Sequence, residues 1–330
     1  MSRSQITHAG AAPGQRQAGG RPRVLVSVLS HNSARTTVEA LRCLARQTYP
    51  AYHLQLIDNA SADGTPESAA REFPGLDIRA LRANTGYTGG ANLALRQALG
   101  EGYDYVVVCT HDVEVDETAV ERLVETARAR PAVGAVGGVE YNPYTGEWRA
   151  SGGGSYSRWF SRMGWRSAAA GGGPEVFCVH GALVLLTAEA LAAGVLLDEN
   201  LFMYFDEADL GFQLRAKGLA AVVDRRVVVR HKREPRPEPA WVGYLMQRNR
   251  LYMVRKHGRW YHRAFYALFS SLCELPAKVL VRGLQGRADF ARACVAGQVD
   301  GLLGRAGAGR LRAGGRRPLV AGGRASSAGS

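Results

Sequence analysis

Residues 105–112 read YVVVCTHD. The run from Tyr105 to Cys109 has no hydrophilic face, so it is expected to be a central β-strand covered on both sides, as in a parallel sheet. It stops at Thr110-His111-Asp112, which sets polar groups where the strand ends. Similar units lie on either side. Val24–Leu29 reads as a strand, followed by a polar loop at Ser30–Ser33 and helical spacing through Leu41, Leu44 and Ala45. His53–Ile57 is a second strand, ending at Asp58-Asn59, and Pro66–Phe73 a short helix. Ile78–Leu81 is a third strand leading to Asn84, and Ala91–Leu99 a helix reached through Gly89-Gly90. Glu117–Arg130 is a further helix, and Val133–Val139, Val179–Leu186 and Val222–Val229 are further strands. This alternation predicts an α/β fold: a Rossmann-like, mostly parallel central sheet flanked by helices, with right-handed crossovers. The glycines and aromatics of Gly152–Gly173 have no clear period and suit a mobile loop.

Ligands of open parallel sheets bind outside the carboxyl ends of the strands. Ser30–Asn32, Asp58-Asn59, Asn84 and Thr110–Asp112 would therefore meet at one edge. The turn after the first strand is SHNSAR, without glycine, and no G-x-x-x-x-G-K-[ST] occurs. Dinucleotide-binding and P-loop chemistries are excluded on that ground.

The formal net charge is +13. Residues 1–23 carry four Arg and residues 305–330 six, with no acid in either tail, so the tails hold most of the excess. Both are poor in large apolar residues and are expected to be disordered. Residues 24–229 hold 18 basic and 24 acidic side chains, residues 230–292 hold 14 and 4, so an acidic body precedes a basic segment. Five scattered cysteines without a C-x-x-C pair argue against a disulfide framework and a zinc site and fit a reducing cytoplasm. No signal-peptide pattern and no uninterrupted run of 18 apolar residues is seen, so neither export nor membrane spanning is expected.

In Leu201–Gly218, LFMYFDEADLGFQLRAKG, the acids Asp206, Glu207 and Asp209 follow an aromatic run and open a helix. Asp206 reads as an N-cap and the others suit the helix dipole. Acids beside apolar surface are also where a catalytic base is tuned.

The ordered set VSVLSHN (26–32), LIDNASADGT (56–65), NTGYTGGANLAL (84–95), THD (110–112), VHGALVLL (179–186), the stretch 201–218 and His231 resembles the inverting family 2 glycosyltransferases with a GT-A fold, especially the rhamnosyltransferase-like members. The resemblance covers about residues 24–257 and implies a transferase that moves a sugar from a UDP- or dTDP-linked donor to a hydroxyl of a glycan or polyprenyl-linked acceptor, in cell-wall or surface polysaccharide synthesis. It implies that Asp58 accepts from the N3–H of the base, with Ser30, Asn32 and Asn59 around base and ribose. Asn84, Gly90 and Asn92 would line the sugar or pyrophosphate, beside Thr110 and His111. Asp112, last residue of a D-x-D-like motif, and His231 would hold Mg²⁺ or Mn²⁺. Thr110 stands where the family usually has Asp or Asn. The family's E-D-x-D appears as Asp206-Glu207-Ala208-Asp209, which makes Glu207 the base with Asp206 its rival. Gly181, Asp209, Arg215 and Arg248 would face acceptor or phosphate. A noncatalytic glycan- or partner-binding platform is the alternative, favoured by Thr110.

The expected organisation is a GT-A domain over 24–235 and a helical segment over 236–304, between tails 1–23 and 305–330. Tyr244–Gly286 mixes aromatics and aliphatics with Arg and Lys. It reads either as a helical subdomain or as a basic amphipathic element at the inner face of an anionic membrane. No nucleic-acid motif accompanies the charge, so nucleic acid is not expected as a partner.

Overall fold

The computed structural model describes residues 20–150, 153–166 and 175–311. Residues 1–19 and 312–330 of the expected tails, and part of the expected loop 152–173, lie outside these. The described chain forms two compact units: residues up to 156, 163–199 and 206–235, and residues 157–162, 200–205 and from 236 onward.

In the first unit, β-branched runs alternate with helices. The elements are β1 (Val24–Ser30), α1 (Ala34–Leu44), β2 (Tyr52–Asp58), α2 (Thr65–Glu72), β3 (Asp77–Ala80), α3 (Gly86–Gly100), β4 (Tyr105–Thr110), β5 (Val113–Glu114) and α4 (Ala119–Arg128). There follow β6 (Val133–Tyr141), β7 (Trp148–Arg149), β8 (Gly154–Ser157), β9 (Arg162–Trp165), β10 (Glu175–Val176), β11 (Leu183–Thr187), α5 (Ala188–Ala192), α6 (Asp206–Ala216) and β12 (Ala220–His231). The main sheet runs β10-β12-β6-β11-β4-β1-β2-β3, with β5 on β12 and β7 on β6. β4, β1, β2 and β3 are parallel, as are β6 and β12, whereas β11 is antiparallel to both neighbours.

Both faces of the sheet are covered, as the β4 sequence demands. Val107 and Cys109 join Val24, Val26 and Val28 beneath α1 and α4, whereas Val106 and Val108 join Leu25 and Leu29 beneath α3 and α6. The central strand β6 approaches its neighbours so closely that a Cβ on Gly138 would lie 2.5 Å from the Val227 carbonyl oxygen. A main-chain oxygen inside a ladder cannot step aside. Gly138→Ala is expected to cost about 2–3 kcal/mol, read as a lowered midpoint in urea at unchanged slope.

Two expectations need correction. Gly89 and Gly90 do not precede a helix but lie within α3, because the Asn84 Oδ1 accepts from the Gly86 N–H at 2.8 Å and starts the helix there. Gly90 is small for packing: its Cβ would meet Leu29 at 3.3 Å and the Asn59 amide at 3.6 Å. Within the expected loop 152–173, β8 and β9 pair as a separate two-stranded sheet.

The second unit contains α7 (Ala240–His257), α8 (Trp260–Phe269), a π-helical turn (Ser270–Glu274), α9 (Leu275–Leu284) and α10 (Ala288–Leu302). Together Trp260–Leu284 is long and apolar enough, by length and composition, to cross a membrane. The lack of an uninterrupted apolar run therefore does not by itself exclude spanning here, and the two readings of the segment, helical subdomain or membrane-surface element, are unaffected. Polar residues at 262–263, 270–271, 274 and 278 break any uninterrupted apolar run without making the helix polar.

Candidate active site

The parallel strands deliver their carboxyl ends to one edge. Ser30 is opposite Asp58, and Leu29 opposite Thr110. The Ser30 carbonyl accepts from the Asn59 N–H at 2.7 Å, and its hydroxyl meets that of Thr37 at 2.6 Å. Asn32 takes φ +50°, a left-handed conformation that Asn tolerates. From there its N–H donates to Ser61 Oγ and its Oδ1 accepts from Ala62, lacing the two loops together. Asp58 is buried. Its Oδ2 accepts from the Ser61 N–H at 2.9 Å, while Oδ1 has no hydrogen-bond partner among the described residues. A buried carboxylate oxygen left open is costly unless a donor arrives. The Asx turn and the base-reading role are therefore compatible, one oxygen for each.

The amides read from the sequence as ligand contacts are largely occupied. Asn59 donates to the Gly86 carbonyl and accepts from Thr85. Asn92 is buried, donating to Leu197 and Glu199 and accepting from the Leu197 N–H. Both tie loops to α3 instead of turning toward a ligand.

The end of β4, strands β6 and β12 and the segment leading into β11 bring four titratable groups together. His231 Nε2 lies 3.1 Å from Asp112 Oδ2, and its Nδ1 lies 2.7 Å from Glu140 Oε1. Glu140 Oε2 is 3.1 Å from His180 Nε2, and His180 Nδ1 accepts from the Ala182 N–H. Two carboxylates hold His231 in its charged form, with a pKa raised to about 9 against the opposing effect of burial. Burial pushes His180 the other way, to about 4, so it is neutral at pH 7. Burial would raise Asp112 and Glu140, but the imidazoles and, for Asp112, the Thr110 hydroxyl hold both below the usual carboxylate range. His111 is lowered by burial.

Glu140, His180 and His231 offer ligand atoms within 4.8 Å of one another. The Asp112–His231 separation also matches neighbouring ligands on a divalent cation with bonds of about 2.1–2.2 Å. The donor set therefore fits such an ion. Thr110 donates to Asp112 Oδ1 at 2.7 Å, so it serves to aim that carboxylate. Glu140, which sequence reading passed over, does the same for His231; a lone acid at the end of the buried run VGAVGGVEY was its only signal.

Two outcomes follow. Glu140→Gln keeps the shape but weakens the hold on Nδ1, and is expected to lower Mn²⁺ affinity about 10–100-fold, read by titration calorimetry. In chelator, the stability that charged His231 contributes is fully present below pH 6.5 and is lost as pH rises toward 9, up to about 3 kcal/mol. Mn²⁺ binding to neutral imidazole is expected to remove that alkaline loss in thermal melts at pH 6.5 and 9.

Glu207 follows Asp206, the first residue of α6. A Cβ on Gly181 would lie 3.3 Å from Glu207 Oε1 and 3.5 Å from the Tyr87 hydroxyl, so glycine lets the carboxylate lie against the backbone where a side chain would press on it. Tyr87, absent from the sequence reading, donates to the Gly181 carbonyl at 2.8 Å. Burial and nearby Glu140 push Glu207 above the usual carboxylate range, against the backbone N–H groups that favour its charge. Asp206 and Asp209 are buried, and Asp209 accepts from Gln213 at 2.7 Å. Arg215 is exposed and stacks over Phe177. Arg248 belongs to the second unit, wholly buried, and donates to the carbonyls of Asn200, Leu201 and Gly307. That places it in the scaffold, away from solvent and from any phosphate in it.

Residues 26–193, half of the chain, match the family described as Glycosyl transferase family 2. The chain is 27% identical over 201 residues to the N-acetylglucosaminyl-diphospho-decaprenol L-rhamnosyltransferase of Mycobacterium tuberculosis, covering 54% of this chain and 66% of that one, just under two thirds of its length. Among solved structures, the mannosyltransferase PcManGT from Pyrobaculum calidifontis, in complex with GDP-Man and Mn²⁺, is similar at TM-score 0.55 and 19% identity over 87% of this chain and 89% of that one. GalNAc-T7 with UDP, GalNAc and Mn²⁺ is similar at TM-score 0.55 and 12% identity over 79% and 58%. At such identities these likenesses establish the GT-A fold. With the family match over half its length, the chain belongs to glycosyl transferase family 2.

Proposed function

We propose that the protein transfers a sugar, with inversion, from a uridine or thymidine diphosphate donor to a hydroxyl of a glycan or polyprenyl-diphosphate-linked acceptor in cell-wall synthesis. The observation that carries this is one sheet edge presenting the open Asp58 oxygen, the Asp112–His231 pair and the half-buried Glu207. The relative's named activity on a decaprenol-linked acceptor supports the acceptor class. Asp58 Oδ1 would accept from the base N3–H, a match that only an acceptor makes. Asp112 and His231 would hold the cation. An imidazole ligand suits Mn²⁺ better than Mg²⁺, which prefers oxygen. When bound, the ion supplies Lewis-acid compensation for the departing diphosphate.

Glu207 takes the proton of the acceptor hydroxyl as that oxygen bonds to the anomeric carbon and the bond to the diphosphate oxygen breaks. Attack opposite the leaving group inverts the centre. A base lifted above the ordinary carboxylate range holds that proton better near neutral pH. Gly181 and Tyr87 position the carboxylate.

The test is transfer from a panel of UDP- and dTDP-sugars, L-rhamnose included, to polyprenyl-diphosphate-linked N-acetylglucosamine with Mn²⁺, the product's anomeric configuration read by NMR. Transfer with inversion is expected. Neither transfer nor hydrolysis from any donor, together with no donor-induced shift in Tm, would sink the proposal. A polyprenyl-linked acceptor is met at a bilayer, so the reading also includes peripheral work at a cytoplasmic membrane face.

A further inference from the structure

The second unit carries a helix turned inside out. Over Trp260–Leu284 the side chains packed inward are largely polar. Glu274 pairs with Arg250 of α7, with Lys278 at 2.6 Å and with the Tyr266 hydroxyl at 3.2 Å. Lys278 also donates to Gln247, and Gln298 of α10 donates to Ser270 and Ser271. The outward face is the apolar one: Phe265, Leu268, Leu272, Leu280, Val281 and Leu284 are exposed, Leu272 by 72% and Leu284 by 82%. A water-facing helix of a globular protein has the opposite arrangement. An apolar stripe along a helix of about 37 Å far exceeds scattered surface leucines.

Charge identifies what covers it. Residues 255–292 hold eight Arg and Lys against Glu274 and Asp289 only, and Glu274 is neutralised within the unit. Arg259 and Arg263 stand at one end and Arg282 and Arg287 near the other. Trp260 is 78% exposed at the first turn, where an amphipathic ring suits a headgroup boundary. A spanning orientation would carry the Glu274–Lys278–Arg250 cluster to the bilayer centre, where charges are most costly.

We propose that Trp260–Leu284 lies flat in the headgroup plane of an anionic bilayer, its leucine face in the acyl boundary and its flanking arginines on lipid phosphates. Anionic headgroups answer the charge, and apolar burial supplies the depth. This goes beyond sugar transfer and stands or falls without any donor.

The chain supplies its own probe, because Cys273 is exposed on this helix while the other four cysteines are buried. Full-length protein labelled there with an environment-sensitive fluorophore is mixed with vesicles of phosphatidylglycerol and phosphatidylcholine, or of phosphatidylcholine alone. The expected result is a blue shift with the anionic vesicles, at a depth of about 5–10 Å. A label at Leu284→Cys in a Cys273→Ser background is expected at the same depth. Leu272→Glu/Leu280→Glu, with both basic tails intact and Tm unchanged, is expected to lower vesicle binding about 100-fold or more. The proposal is overturned if the protein binds while the Cys273 label stays in water, which would leave the tails as the cause. Undiminished binding of the double variant, or labels differing in depth by about 16 Å as in a spanning helix, would overturn it equally. So would self-association without lipid, abolished by the same substitutions in a protein that ignores vesicles.

Discussion

Glu207→Gln is expected to lower kcat for sugar transfer about 1,000-fold while leaving the donor KM nearly unchanged. Glutamine fills the same space beside Gly181 and still accepts a hydrogen bond, but cannot take a proton at the moment of attack. Burial raises the Glu207 pKa, so wild-type activity should fall as the carboxylate is protonated above the ordinary glutamate range. The variant's residual rate should lack that acidic limb. The rival base is tested alongside. Asp206 is the more deeply buried of the two, and Asp206→Asn is expected to retain activity within about tenfold. If the asparagine variant is dead and the glutamine variant active, the assignment is reversed.

Arg248→Met is expected to destabilise the second unit by about 3–5 kcal/mol. The guanidinium is wholly buried, so the loss is one of hydrogen bonding and not of a surface charge. Its removal leaves the Gly307 carbonyl and the Asn249 Oδ1 without their donor, whereas the carbonyls of Asn200 and Leu201 keep the N–H groups of Gly307 and Met203; each buried acceptor left open costs about 1–3 kcal/mol. The segment it holds is itself strained: Phe202, Tyr204 and Phe205 take φ of +66°, +69° and +67°. Such conformations persist only where surrounding bonds impose them, at about 1–3 kcal/mol each. Asn249 adds donations to Leu201, Met203 and Tyr204. Lysine, a point donor without the fork, is not expected to rescue. Faster cleavage near 200–205 in limited proteolysis and a lower Tm would report the loss; a melting curve matching wild type would refute it.

How far the sequence could be read depends on the kind of interaction. The sheet was legible because YVVVC and VLVSVL are uninterrupted β-branched runs, and their polar ends mark the edge where Asp58 and Asp112 stand. The start of α3 was not, because Gly89-Gly90 mimics a helix break, while the signals that decide it are an Asn84 turn and contact with Leu29 across the sheet. Glu140 escaped notice because one acid in a buried strand has no periodic signature; its partners His180 and His231 are far away in the chain. Arg248 in RNR looked like a phosphate group's partner, since no local pattern tells a buried arginine from an exposed one. For Trp260–Leu284 composition leaves a helical subdomain and a membrane-surface element equally open, because it is blind to which side of a helix faces inward.

The claim that joins these parts is that Asp112 and His231 form a cation site required for nucleotide binding. Titration calorimetry of UDP and dTDP into the full-length protein, with Mn²⁺ and with EDTA, tests it most directly. Saturable binding is expected with Mn²⁺, falling at least about tenfold in EDTA and in Asp112→Asn. Binding in EDTA as tight as with Mn²⁺, or undiminished in the variant, would contradict the account.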